Sequence, residues 1–185
     1  MGEQHKKHSR REHLNDFHLN VAGEYVYDGA LYACQSDDAK QRRLKRAVWG
    51  MAAILIVAVI AGGCIPAPGM QNCFYVLLPY LGEFLGAASV IWALAKLGTD
   101  WSTVREYNYK KSVAVLPVRT AVTAVFSLLG IVCELIFFFV NDHAGQTFFA
   151  LLYVLLKLIA LLSVLVLRAE IMQAEWDKLP KKNNF

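Results

Sequence analysis

Charge is scarce in this chain, and the places that lack it say more than its total. Asp, Glu, Lys and Arg make up 18% of the residues against 56% hydrophobic, short of the polar share with which a soluble domain covers its core. Four runs, 47–65, 74–98, 120–140 and 147–167, hold only Glu83, Lys96, Glu134 and Lys157 among them. Each is close to the roughly 20 residues that cross about 30 Å of hydrocarbon at 1.5 Å per residue. The runs also lack the polar–apolar alternation of a membrane β-strand, which argues against a barrel and for helices, whose backbones satisfy their own hydrogen bonds in lipid.

Lys and Arg are missing from 66–73 and 141–146, whereas sixteen of the 19 basic residues fall before the first run, in the middle connection or after the last run, with Arg119 at the inner edge of the third run besides. The positive-inside rule then predicts an all-α polytopic membrane protein with four transmembrane helices in an antiparallel bundle, N and C termini cytoplasmic. The net charge of +4 is a product of that topology and does not point to nucleic acid. Trp49, Trp101, Tyr107 and Tyr109 on the inner side, and Phe74, Tyr75, Phe137 to Phe139, Phe148 and Phe149 on the outer, read as interfacial aromatic belts.

Catalytic and cofactor chemistry is also missing. There is no C-x-x-C pair, and His5, His8, His13 and His18 fit no ordinary metal spacing. No nucleophile, base or ligand set gathers near an interface, so neither enzyme activity, a metal nor a cofactor is expected. His143 beside Asp142 reads as a loop residue. The first apolar run begins behind a charged segment, as in a signal-anchor and not a cleaved leader. Ala61-Gly62-Gly63-Cys64 reads as helix packing and not as a lipidation site.

Three regions are expected: a cytoplasmic segment 1–46, a transmembrane domain 47–168 and a cytoplasmic tail 169–185. Within the first, 1–15 reads as a mobile polar arm, and 25–32 as a short hairpin turning at Asp28-Gly29. In the middle connection, Thr99-Asp100 reads as the cap of a short interfacial helix over 101–109. The last span is expected to continue as a solvated helix over 169–179, up to Pro180. Cys64 and Cys73 bracket the external turn, whose Pro66, Pro68 and Gly69 stop the helix. On the oxidising side they are expected to form a disulfide.

On the second span Gly82 and Gly86 lie four apart, extended by Ser89 and Ala93, a stripe suited to close helix approach by a neighbouring span or by a second copy in a homodimer. On the third, Thr120, Thr123, Ser127, Gly130 and Glu134 recur at three- and four-residue steps and share one face. That face is expected to look inward and, with Glu83 and Lys157, to form an intramembrane polar site of Glu83, Glu134, Lys157, Ser127 and Thr123, because ionisable groups facing lipid cost some 2.5–3.5 kcal/mol. Glu83 and Lys157 lie roughly 14 and 15 Å from the outer ends of their spans at the helical rise, so they are expected to pair. Two functions fit these residues: a non-enzymatic accessory or scaffold protein of the cell membrane, whose N-terminal segment meets a protein partner, or a small transporter or small-cation or amine binder that uses the polar site.

Overall fold

A computed structural model describes residues 17–19, 25–27, 29–98, 101–141 and 147–179. The order of elements is β1 (Phe17–Leu19), β2 (Tyr25–Tyr27), β3 (Leu31–Cys34), α1 (Asp38–Cys64), α2 (Pro68–Asn72), α3 (Phe74–Leu97), β4 (Val104–Arg105), α4 (Glu106–Lys111), α5 (Leu116–Val140), α6 (Thr147–Gln173) and β5 (Trp176–Lys178). The protein is mostly helical, and α1, α3, α5 and α6 are each long and apolar enough to cross a membrane. Those four pack in a closed circuit: α1 on α3 and α6, and α5 on α3 and α6. Small buried residues, Ala52 and Ala58 on α1, Ala87 and Ala93 on α3 and Ala160 on α6, let the helices approach. Their outward faces are apolar as well: Val57, Ile60, Leu85, Trp92, Val125, Leu151 and Leu162 are all exposed. An unbroken apolar exterior of this kind is what a bilayer solvates and water does not.

Prolines set the helix ends. Ile65 and Ala67 each precede a proline and are extended, since the ring of the next residue disfavours helical backbone. Pro68 and Pro117 sit in the first turns of α2 and α5, where a missing N–H is no loss. α3 closes at Gly98, which holds a positive φ of 71°, a conformation that favours glycine. The helices differ from the expected spans chiefly by reaching further: α1 begins at Asp38 and α6 runs to Gln173.

The short strands β3, β4 and β5 gather at one end of the bundle, the sheet end, while α2 lies at the other. β3 is the middle strand of a three-stranded sheet, antiparallel to β4 (Tyr32 opposite Val104) and to β5 (Cys34 opposite Trp176). This corrects three expectations. Residues 25–32 do not form one hairpin: β2 pairs with β1 (His18 opposite Val26), and the chain from Leu31 joins the other sheet. The stretch 101–109 is a strand followed by α4, not one helix, and the last span gives way to β5 instead of staying helical to 179. In each case strand pairing, of β2 with β1 and of β4 and β5 with β3, satisfies backbone groups that an isolated short helix or hairpin would leave to water. The arm 1–15, the turn residue Asp28, the Thr99-Asp100 cap, the Asp142-His143 loop and Pro180 lie outside the described residues.

The sheet end has its own apolar core of Cys34, Val48, Leu97, Trp101, Val104, Leu116 and Ile171. Trp101 is 2% exposed, donates its indole N–H to the Gly98 carbonyl at 3.1 Å and packs 5.8 Å from the Trp176 ring. Tyr109 stacks on Tyr32 at 4.2 Å. Trp101 is therefore a core residue of this cap, and the half-buried Tyr109 packs against that core. At its rim Lys110 pairs with Glu106 at 2.6 Å, and that hydrogen bond holds the Glu106 carboxyl below the ordinary carboxylate range. The contribution is present at neutral pH and fades on acidification, and it is small because the lysine is exposed.

Candidate functional site

The polar face of α5 turns inward. Thr120, Thr123, Ser127 and Glu134 are fully buried, as are Glu83 on α3 and, at 1% exposure, Lys157 on α6. Three helices thus bring their ionisable residues to one interior, as the cost of facing them to lipid requires.

Lys157 Nζ makes an ion pair with Glu83 Oε2, and Ser127 Oγ donates to Glu83 Oε1 at 2.6 Å. Both carboxylate oxygens are thus engaged. The ammonium also lies 4.5 Å from the ring centre of Tyr80 and 5.1 Å from that of Tyr153, distances at which an aromatic face stabilises a cation. The lysine stem runs past Gly130, with its Cε 3.6 Å from where a β-carbon would stand. A β-carbon there would be in ordinary contact with the stem. A buried pair is tolerable when its geometry is good and its remaining polar atoms are satisfied, and Ser127 and the two rings supply that second layer.

Thr123 is not part of this arrangement. Its hydroxyl donates to the Arg119 carbonyl at 2.8 Å, and a β-carbon at Gly86 would stand 2.6 Å from its oxygen. Gly86 therefore meets α5 of the same chain, and a β-carbon at Gly82 would likewise fall on the Phe126 ring. The stripe on α3 thus serves the α3–α5 contact. Arg119 ends the polar face near the sheet end, donating to the Ser89 carbonyl at 2.6 Å, and Arg168 donates to the Pro117 carbonyl.

Glu134 sits apart from the pair, toward α2. Its Oε1 accepts the Gly69 backbone N–H at 3.4 Å. Its Oε2 makes no hydrogen bond among the described residues, and the same is true of the buried Tyr153 hydroxyl. The α2 turn closes directly on this carboxyl: a β-carbon at Gly69 would collide with Glu134 Oε2 and lie 3.1 Å from the Phe137 ring. Gly69→Ala is therefore expected to destabilise the protein by about 1–3 kcal/mol, the usual cost of overpacking. Thermal unfolding in mild detergent checks this, and an unchanged midpoint would show that the turn can move aside.

Cys64 and Cys73 are free thiols, Cys64 exposed and Cys73 half-buried. The expected disulfide is not formed in this structure. Cys64 is the last residue of α1, and the five-residue helix α2 fills the connection before Cys73. Among the described residues no group of three His, Cys, Asp or Glu is placed to hold a metal ion.

Sequence reasoning missed Tyr80, Tyr153 and the Gly69 N–H. The two tyrosines were legible in principle: Tyr80 precedes Glu83 by three residues and Tyr153 precedes Lys157 by four, each on the same helix face. The Gly69 contact has no such sign, since its partner is 65 residues away. No family model, curated protein or solved structure matches this chain, so the reading of function rests on the geometry.

Proposed function

We propose that the protein is a non-enzymatic accessory or scaffold protein of the cell membrane. Both termini and the α3–α5 connection lie on the cytoplasmic side, and the four spans form an antiparallel bundle. The observation that carries this reading is the cap at the sheet end. It draws together Leu31–Cys34, Val104–Arg105 and Trp176–Lys178, three segments far apart in sequence, around a tryptophan core. Such a cap gives a membrane protein a preformed surface from which the N-terminal segment can meet a partner. Arg42, Arg43 and Arg46 on the emerging turn of α1 give that surface a basic rim, suited to an acidic protein surface.

The interior supports the same reading, because Glu83 and Lys157 engage each other and so hold a structural charge pair. The other function, a small transporter or small-cation or amine binder, draws support from Glu134, which has no basic partner among the described residues. Copurification of the tagged full-length protein in mild detergent separates the two. A stoichiometric partner that is lost when the cap is disrupted supports the accessory reading. A lone species that binds a small cation favours the other.

Orientation is tested separately with single-cysteine variants at Asn108 and Gln71. An impermeant thiol reagent applied to intact cells is expected to label the second and not the first. The reverse pattern would invert the proposed topology.

A further inference from the structure

Glu134 is the buried acid that the ion pair leaves over. It is fully buried, one of its oxygens has no hydrogen-bond partner among the described residues, and Lys157 is committed to Glu83. Across from it on α6, Tyr153 is also fully buried and has an unpartnered hydroxyl. The phenol lies within electrostatic range of both Glu134 and Glu83. Glu134 stands two turns along α5 from Ser127, and Tyr153 one turn along α6 from Lys157, so the polar groups form a ladder. It runs from the charge pair, through Tyr153, to Glu134 and the Gly69 N–H of α2.

We propose that Glu134 and Tyr153 form a proton-exchange site at the α2 end of the bundle, separate from the Glu83–Lys157 pair and independent of whether a partner binds the cap. An isolated carboxylate in this interior would be an uncompensated buried charge. The groups facing it do not remedy that. They are Tyr75 on α3 and Tyr153 on α6, neither of them a cation, while α2 presents only a backbone N–H and Lys157 is engaged by Glu83. A metal cation is not the fitting occupant, since hard cations take about six oxygen ligands and one carboxylate with a phenol supplies far fewer. A proton needs only the carboxylate oxygen. Uptake converts carboxylate and proton to a neutral carboxylic acid, which removes the uncompensated charge from the interior that Glu134 shares with the Tyr153 phenol. Release returns the proton to water at the α2 end, where Gln71 and Asn72 are exposed. No other reactant is consumed.

Infrared difference spectroscopy of the full-length protein in lipid vesicles, stepped from acid to alkaline buffer, tests this. A carboxylic acid in an apolar interior has a C=O stretch at higher frequency than hydrated acids, so it is resolved from the surface glutamates. The wild type is expected to lose such a band as the pH rises. The band should be absent from Glu134→Gln, retained in Glu83→Gln and shifted in frequency in Tyr153→Phe. If no high-frequency band is seen, if it does not respond to pH, or if it survives Glu134→Gln, the site is overturned. Should Glu134→Gln fail to fold, Tyr153→Phe decides: a band of unchanged frequency excludes the tyrosine from the site and overturns the proposal. Loss or retention of a copurified partner does not bear on any of these bands, so this result and that for the cap stand apart.

Discussion

Replacing Lys157 by methionine is expected to destabilise the protein by about 3–5 kcal/mol, the cost of leaving a buried charge without its partner. Glu83 is completely buried and held only by Lys157 and Ser127, so methionine leaves the carboxylate with one hydroxyl for company. Glu83→Gln alone strands the ammonium between the rings of Tyr80 and Tyr153, which recover part of the loss at about 0.5–2 kcal/mol for a desolvated cation–aromatic contact. The double variant Lys157→Met with Glu83→Gln removes both charges and is expected to return most of the stability lost by the lysine variant. Unfolding of the singles and the double in mild detergent measures the coupling. If the two effects simply add, the ion pair contributes nothing. A stable double variant that no longer supports a wild-type phenotype would instead give the pair a role beyond structure.

The second large effect is expected at Trp101. Its ring is buried, hydrogen-bonded to the Gly98 carbonyl and packed on Trp176, with Lys45 Nζ 5.7 Å from its centre. Beside it lies an apolar cavity of about 10 Å³ bounded by Leu44, Leu97 and Val113, already close to the volume of one water probe. Trp101→Ala enlarges that space in a region that cannot collapse, because β3 is tied on both sides to β4 and β5. The expected cost is about 3–5 kcal/mol. Because the damage is confined to the cap, amide hydrogen exchange should rise in β3, β4 and β5 while the interiors of α3 and α5 stay protected. Uniform loosening of the helices would show that cap and bundle are one cooperative unit. Under the accessory reading the same variant should release the copurified partner, and retention of that partner would place the contact elsewhere.

The cap and the bundle also differ in how far the sequence foretold them. Apolarity and length are properties of a continuous stretch, so four long helices could be read residue by residue, and 74–98 fell within one residue of α3. The inward face of α5 was equally legible, because Thr120, Ser127 and Glu134 must share a side of any helix. Insertion cost then fixed that this side turns away from lipid. The cap gave no comparable sign. Its strands are two to four residues long, and β3 meets partners more than 70 positions away at Val104 and some 140 away at Trp176 by their sequence numbers, separations that no local pattern encodes.

What the chain determined alone was therefore the count of membrane-length helices and the supply of two acids and one base to their interior. The tertiary structure decided which acid the base meets. By depth alone Glu134, six residues from the outer end of its span and so about 9 Å deep, is also within reach of a long lysine on the last helix. The choice follows from the rotation and axial offset of α3, α5 and α6, set in part where Gly86 admits Thr123 and Gly82 admits Phe126. Those contacts point Lys157 at Glu83 and the Tyr153 ring, and bring the α2 turn down onto Glu134. Helix packing is a relation between surfaces, and it exists only once the surfaces have met.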